Sequence, residues 1–368
     1  MQHILEELEK RRAQARAGGG PENVLVVVNG MSWVSRTIAN HYVQVRHIPP
    51  ENVVDIDWKG DWHSTPVATF REQILRPVFE AMERRKLTSQ IDYIVYSSDF
   101  PWQIDVLADL HGQLAPPQLS PVASLTGATY LAELALAGSP EIVTLQTNQY
   151  LRDLGPRHTA IPTHGFRSWY GWGPGGELLE SGGRRYFLSA MLAVTTGRGN
   201  SIKEAVNYLD RAGSADGTAP KGSIYYHSTS DVRSTTRQWG FERAVESLAK
   251  LGVRAEVVST AIPVGKPDVM GTTMGVNFFN WPTGKSQIRP GAFCDNLTST
   301  AGMLARKWPR ISSRLPGLAV MMARTWIIGR LRFEHALEGK CYARSFRCAM
   351  APSSAYWAAE GHYALGCF

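Results

Sequence analysis

The sequence contains no long apolar run and none of the short motifs typical of nucleotide-binding or zinc proteins. No window reaches the about 18 uninterrupted apolar residues that cross a bilayer, and the closest stretch, 315–329, is broken by Arg324. Neither G-x-x-x-x-G-K-[ST] nor G-x-G-x-x-G follows the first predicted strand, and no C-x-x-C or H-E-x-x-H occurs. We therefore predict no integral membrane segment, no metal site and no cofactor.

Cysteine is scarce, and the N-terminus lacks the apolar core of a secretory signal. Only one of the four cysteines, Cys294, lies in residues 1–304, so the spacing supports no disulfide framework. The first 20 residues read as a short charged helix that ends in three glycines. These absences predict a cytoplasmic protein, with export to the envelope as the alternative if translation starts upstream of Met1.

Acidic residues are nearly absent from the last part of the chain. The formal net charge is +7, yet residues 305–368 contain ten Lys and Arg, three Glu and no Asp, so residues 1–304 are neutral overall. We expect an atypical basic tail, for which a shifted reading frame is one hypothesis and a genuine divergent tail the other. Without this tail no basic excess remains to bind phosphates, so the sequence predicts no nucleic-acid partner.

Short β-branched runs alternate with amphipathic segments along the chain. The predicted strands are 23–28, 53–56, 91–96, 223–227, 254–258 and 275–279, and the predicted helices are 35–46, 65–86, 201–212, 235–251 and 292–304. The second helix has Thr65 as its N-cap and Pro66 at its first position, with a kink at Pro77. The order predicts an α/β fold with a mostly parallel, doubly wound sheet and a long irregular insertion rich in Gly, Pro and Trp.

The same order divides the chain into five parts. They are an N-terminal charged helix with a glycine linker (1–20), a first βαβαβ half (21–104), the irregular insertion (105–183), a second α/β half (184–304) and the atypical basic tail (305–368).

Polar residues, Ser32 after the first strand among them, follow the predicted strands at the edge where open α/β sheets bind ligands. For each residue alone, turn chemistry or helix capping is the favoured explanation, but together they predict the mouth of a site. The insertion adds aromatic side chains in F-R-S-W-Y-G-W-G, residues 166–173. The predicted binding residues are Asn29, Ser98, Arg233, Asn280, Trp169 and Trp172.

Cys294 is the candidate nucleophile. It lies at the start of the predicted helix 292–304, where backbone N–H groups and the helix dipole would lower the pKa of a thiol. His227 or His111 would then act as the base. The alternative is a small buried residue in a first helical turn. Asp99 and Asp231 are a candidate carboxylate pair for acid–base or metal chemistry.

A set of short segments carries a family resemblance. They are 23–29 (N-V-L-V-V-V-N), 35–39, 41–42, 46–52 (R-H-I-P-P-E-N), 92–95, 98–101, 197–201 (G-R-G-N-S), 220–222, 290–292 and 297–299. Together they resemble an uncharacterised bacterial family found in genomes that also encode exosortase, the proposed protein-sorting transpeptidase. The Trp-rich insertion is similar to that of planctomycete members.

The resemblance spans roughly residues 22–304 and implies an α/β fold and a contextual link to envelope protein sorting. It implies no catalytic residue in this chain, because no catalytic residue is assigned in the family. Residues 305–368 depart from the family, which continues with a small-residue stretch and ends near Gly-Asp-Pro-Leu-Cys; neither is present here.

Two functions follow as expectations. The first is a hydrolase-like enzyme with its site at the carboxyl ends of the strands, loosely similar at the level of fold to caspase- and gingipain-type cysteine peptidases. The alternative is a non-catalytic envelope or sorting-associated binding module that uses residues 166–173 as its contact surface. Either would act on a small molecule or a peptide.

Overall fold

A computed structural model of the chain describes residues 20–114, 121–143, 167–195, 200–215, 218, 221–235, 238–276, 279 and 281–296. The strands are β1 (Val24–Asn29), β2 (Val53–Ile56), β3 (Ser64–Pro66), β4 (Tyr93–Tyr96), β5 (Gln103–Asp105), β6 (Val122–Ser124), β7 (Gly171–Trp172), β8 (Leu178–Leu179), β9 (Leu188–Met191), β10 (Ser223–His227), β11 (Arg254–Val258), β12 (Val269–Met274) and β13 (Ile288–Asn296). The α-helices are α1 (Trp33–Arg46), α2 (Val67–Phe70), α3 (Arg76–Arg84), α4 (Leu125–Tyr130), α5 (Ala132–Ala137), α6 (Ile202–Ala215), α7 (Val232–Thr235), α8 (Phe241–Ala249) and α9 (Trp281–Gly284).

The first sheet contains four parallel strands in the order β2-β1-β4-β9. Every residue of β1 is buried, as expected of a β-branched strand covered on both faces. Helix α1 lies against one face, where Ser97 Oγ donates to the carbonyl of Ser35. Helix α4 lies against the other, where the hydroxyls of Tyr96 and Thr129 are 2.9 Å apart. Helices on both faces make this sheet doubly wound, as predicted.

The second sheet repeats the same strand order with four further parallel strands, β11-β10-β12-β13. The predicted α/β class is therefore confirmed, with the parallel strands divided between two sheets. Helix α6 joins the halves and contacts both α1 and β13. Gly213 allows α6 to approach α1 closely, since a Cβ there would lie 2.3 Å from Val45 Cγ1. His41 Nε2 and Asp210 Oδ1, 2.6 Å apart, join the same two helices.

The predicted helix 65–86 forms with a different start and path. Thr65 lies in β3, and Pro66 precedes the first turn as the N-cap of α2. A π-helical turn, Arg71–Leu75, separates α2 from α3. Pro77 lies two residues after the end of this wider turn. Because proline has no N–H to donate to the preceding turn, the change of helical pitch lies next to the position of the predicted kink.

The predictions for the last part of the second half are wrong in two places. Strand β12 ends at Met274, because Gly275 turns away against the backbone of Arg233 and Ser234, only 2.4–2.7 Å from where its Cβ would be. The predicted helix from residue 292 is instead strand β13 up to Asn296, and residues 297–304 lie outside the described residues. The predicted helix 235–251 is reduced to α8, preceded by the short α7.

A bulge explains why Pro290-Gly291 does not start a helix. Val269 pairs with Ile288 and Gly271 with Phe293. Between these two pairs β12 advances by two positions and β13 by five, so β13 contains three extra residues. Gly291 has φ 81° within that bulge, a conformation that glycine adopts without strain. Phe293 then lies over Gly271, whose Cβ would be 2.5 Å from the phenyl ring. Tertiary pairing thus overrides the local helix-start signal.

Candidate functional site

The structure brings together the predicted residues at the carboxyl edge of the first sheet. Asn29 ends β1, and its Nδ2 donates to the carbonyl of Asp99 at 2.7 Å. Ser32 Oγ donates to Asp99 Oδ2, and Thr195 Oγ1 donates to Asp99 Oδ1. We call Asn29, Ser32, Ser98, Asp99 and Thr195 the Asp99 cluster. Its members follow three adjacent parallel strands, β1, β4 and β9.

Local backbone geometry positions each side chain of the Asp99 cluster. Ser32 is the N-cap of α1 and accepts the N–H of Ser35 at 3.1 Å, so its hydroxyl hydrogen is left for Asp99. Asp99 has φ 61°, a left-handed conformation that costs most residues roughly 1–2 kcal/mol and that Asp adopts more readily. This turn directs its carboxylate back towards β1 and β9.

The Asp99 cluster lies at the topological switch point of the first sheet. From β1 the chain crosses to β2 on one side, whereas β4 lies on the other side of β1. The crevice between β1 and β4 is where open parallel sheets bind ligands. Asp99 is only 3% exposed, and Ser98 Oγ is buried and has no hydrogen-bond partner among the residues that the structure describes. The cluster therefore combines acceptor groups with a hydroxyl that can still donate or accept.

His227 occupies the matching position at the carboxyl edge of the second sheet. It ends β10, and its Nδ1 lies 2.6 Å from the carbonyl of Thr260. Because a carbonyl can only accept, Nδ1 carries the proton and Nε2 keeps its lone pair, for which the described part of the chain supplies no partner. Burial lowers the pKa of His227 to about 4. The imidazole is therefore neutral at neutral pH.

The predicted pairing of Cys294 with His227 is wrong in its geometry. Cys294 lies within strand β13 and is 7% exposed, so no helix N-terminus acts on its thiol. Cys294 pairs with Thr272, and Thr272 with Tyr225, which places Cys294 and His227 on the same face. Strand β12 separates them, a lateral distance of about 10 Å. His111 lies elsewhere, with Nε2 3.2 Å from the carbonyl of Gly138.

The predicted pair of carboxylates, Asp99 and Asp231, does not form. Asp231 follows β10 in the second sheet, and it forms an ion pair with Arg233 at 3.1 Å. The backbone N–H of Arg233 and its guanidinium lower the pKa of Asp231. Arg233 is thereby engaged by Asp231 and belongs to a different edge from Asn29 and Ser98. Asn280 lies outside the described residues.

The aromatic segment of the insertion lies at the opposite, amino edge of the first sheet. Asp92 directly precedes β4, its Oδ1 accepts the N–H of Ser168 at 2.7 Å, and its Oδ2 lies 2.9 Å from Arg167 Nε. Trp169 is 48% exposed, but Trp172 is only 6% exposed. The indole of Trp172 thus packs in the core, and its role as a binding residue stays a prediction. Trp169 remains a candidate contact residue away from the Asp99 cluster.

Thr195 is the member of the Asp99 cluster that sequence reasoning missed. No strand was predicted at 188–191, so nothing placed residue 195 at a sheet edge. A signal was present, since residues 186–194 form an apolar run followed by Thr195 and Thr196. The small residues Ser189 and Ala190 make this run less β-like than 24–28.

Two absences hold for the described part of the chain. None of its groups of His, Cys, Asp and Glu side chains is arranged to hold a metal ion. None of its helices is long and apolar enough to cross a membrane.

The chain was compared with protein families, curated proteins and solved structures, and no match was found in any of the three. The resemblance to the exosortase-associated family stays a prediction.

Proposed function

We propose that the protein is a non-catalytic binding protein, and that the Asp99 cluster holds a small polar molecule or a peptide segment. The observation that carries this proposal is the convergence of three strand ends at the switch point. The carboxylate of Asp99, which follows β4, accepts the hydroxyls of Ser32 after β1 and Thr195 after β9. Asn29 at the end of β1 donates to the backbone carbonyl of Asp99. The hydroxyl hydrogens of Ser32 and Thr195 are engaged by Asp99. Ser32 Oγ also accepts the N–H of Ser35, so the oxygen of Thr195 is the one with more capacity to accept from a ligand.

The chemistry around these hydroxyls supports binding over catalysis. Activating a hydroxyl as a nucleophile requires a base within hydrogen-bond reach, and histidine is the usual one. In the described ranges no imidazole or thiol contacts Ser32, Ser98 or Thr195, and Ser32 is also committed to capping α1. Asp99 itself accepts two hydroxyls and binds Asn29 through its carbonyl, which fixes its geometry.

Thr195→Val tests the proposed site, because it removes one hydroxyl and keeps the side-chain volume. The probes are N-acetyl amino-acid amides, screened by thermal shift and followed by calorimetric titration. We expect at least one probe to bind the wild-type protein. Thr195→Val should lower the affinity for that probe about threefold to tenfold, the effect of one lost hydrogen bond. Thr37→Val, on the exposed side of α1, is the matched control. Equal binding by Thr195→Val and the wild type would place the ligand elsewhere.

The burial of Cys294 within β13 predicts a slowly reacting thiol rather than an activated nucleophile. The measurement is the rate of alkylation of Cys294 by iodoacetamide, in a background where Cys341, Cys348 and Cys367 are Ser. Because Cys294 is buried within β13, we expect alkylation to be at least a hundredfold slower than for the urea-unfolded chain. Alkylation as fast as that of the unfolded chain would instead support an activated thiol.

A further inference from the structure

We infer that the Asp99 cluster receives a cationic group of its ligand, a primary ammonium or a guanidinium on an aliphatic stem such as a Lys or Arg side chain. This inference rests on the proposed function and names the chemical class that the site takes.

The first observation is a buried carboxylate without a counter-charge. Asp99 is 3% exposed, and its hydrogen bonds are with the neutral groups of Asn29, Ser32 and Thr195. No Lys, Arg or His forms an ion pair with it among the residues that the structure describes. Buried charges in folded proteins are paired, since desolvation without a partner is costly. By contrast, the buried Asp92 has Arg167.

The second observation is the hydroxyl of Ser98, which has no hydrogen-bond partner among the described residues. Ser98 is fully buried and directly precedes Asp99 in the chain. It is independent of the carboxylate, because Ser98 forms none of the bonds of the Asp99 cluster. An ammonium group has three donors and a guanidinium five, and neither has an acceptor. Asp99 and Thr195 offer oxygens that such a group requires, and Ser98, next to Asp99 in the chain, adds an oxygen without a partner among the described residues. A ligand rich in acceptors would meet few donors here.

Further negative charge lies beside the same crevice. Gly30 follows Asn29, and a Cβ on Gly30 would lie 3.0 Å from Asp57 Oδ1 and 3.9 Å from Asp55 Oδ1. Both aspartates are exposed. These carboxylates attract a cation towards the switch point and disfavour an anion.

The loop after β1 also offers apolar surface for an aliphatic stem. Met31 is 53% exposed and Trp33 is 65% exposed, and they flank Ser32 on both sides. A Trp face attracts ammonium and guanidinium groups and packs against methylene groups. The loop therefore matches a long side chain that ends in a positive charge.

The experiment compares two probes with stems of similar length, N-acetyl-lysine amide and its uncharged counterpart N-acetyl-norleucine amide, by calorimetric titration of the full chain. We expect the lysine probe to bind at least tenfold more tightly. Asp57→Asn should lower the affinity for the lysine probe about threefold at low salt and leave the affinity for the norleucine probe unchanged. Glu246→Gln, an exposed acid on α8 in the second half, is the charge-matched control and should change neither affinity.

The outcomes separate this inference from the proposed function. Equal affinity for the two probes, with both weakened by Thr195→Val, would overturn the cationic class and leave the binding site in place. Probes that bind without any effect of Thr195→Val would overturn both. A thermal shift with Mg²⁺ or Ca²⁺ and none with the lysine probe would also overturn the inference, because the missing cation would then be a metal ion.

Discussion

Replacing Arg167 with Met is expected to lower the free energy of unfolding at pH 7.5 by about 3–5 kcal/mol, the usual cost of breaking a buried ion pair from one side. Asp92 is fully buried and Arg167 is 4% exposed, with Arg167 Nε 2.9 Å from Asp92 Oδ2. The change leaves the carboxylate buried with the N–H and hydroxyl of Ser168 as its neutral partners among the described residues. Urea-induced unfolding measures the effect.

The matched control is Arg184→Met, which removes a similar pair near the surface. Arg184 lies 2.6 Å from Glu141, whose side chain is largely exposed, and such pairs contribute about 0–1 kcal/mol. Burial raises the pKa of Asp92 to about 6, so its carboxyl is neutral in acid. The loss caused by Arg167→Met should therefore be smaller at pH 5 than at pH 7.5. If Arg167→Met lowered the free energy of unfolding by less than 1 kcal/mol at pH 7.5, the proposed contribution of the Arg167–Asp92 pair to stability would be contradicted.

Sequence reasoning found the site residues that directly follow a recognisable strand pattern in the sequence. The β-branched run 24–28 identifies a buried strand, and the turn residue Asn29 follows it directly. Ser98 and Asp99 follow the run 93–96 in the same way. Because parallel strands end at one edge of a sheet, their convergence could be predicted without knowledge of any contact.

The missed parts depend on contacts between distant segments. Pro290-Gly291 reads locally as a helix start, but pairing with β12 makes it a bulge, so the helix dipole expected at Cys294 does not exist. Trp172 and Trp169 lie three residues apart, and only the path of the insertion decides that one is buried and the other exposed. Arg167 looks like a surface cation in the sequence. Its buried partner, Asp92, is 75 positions earlier.

The repeated strand order of the two halves does not repeat the chemistry at their edges. Asn29 and His227 each end the first strand of their sheet. Both heteroatoms of the Asn29 amide are used, by Asp99 and by the N–H of Met31. Among the described residues, His227 has a partner for one ring nitrogen only, and Gly275 packs closely against α7, the short helix after β10. The first half therefore presents an assembled polar site, whereas the second contains a buried neutral imidazole.

That imidazole gives the second large prediction: the His227→Gln variant should be more resistant to acid than the wild type. The pKa of His227 is about 4 in the folded protein and 6.5 without the protein environment. Between these values the unfolded chain binds more protons, so the stability present above pH 6.5 is lost as the pH falls to 4. The full difference corresponds to about 3 kcal/mol, at 1.36 kcal/mol per pKa unit. Glutamine does not titrate, so the variant lacks this pH dependence whether or not its amide reaches the carbonyl of Thr260.

Asp92 acts in the opposite direction over nearly the same range. Its pKa is raised from 3.8 to about 6, so the folded protein binds more protons there and gains stability as the pH falls. In the wild type the two effects largely offset each other, and His227→Gln should expose the gain due to Asp92. Unfolding free energies from urea titrations at pH 7, 5.5 and 4.5 measure this, with His47→Gln as the exposed-histidine control. A difference between His227→Gln and the wild type that stays constant with pH would show that His227 is not buried as a neutral imidazole.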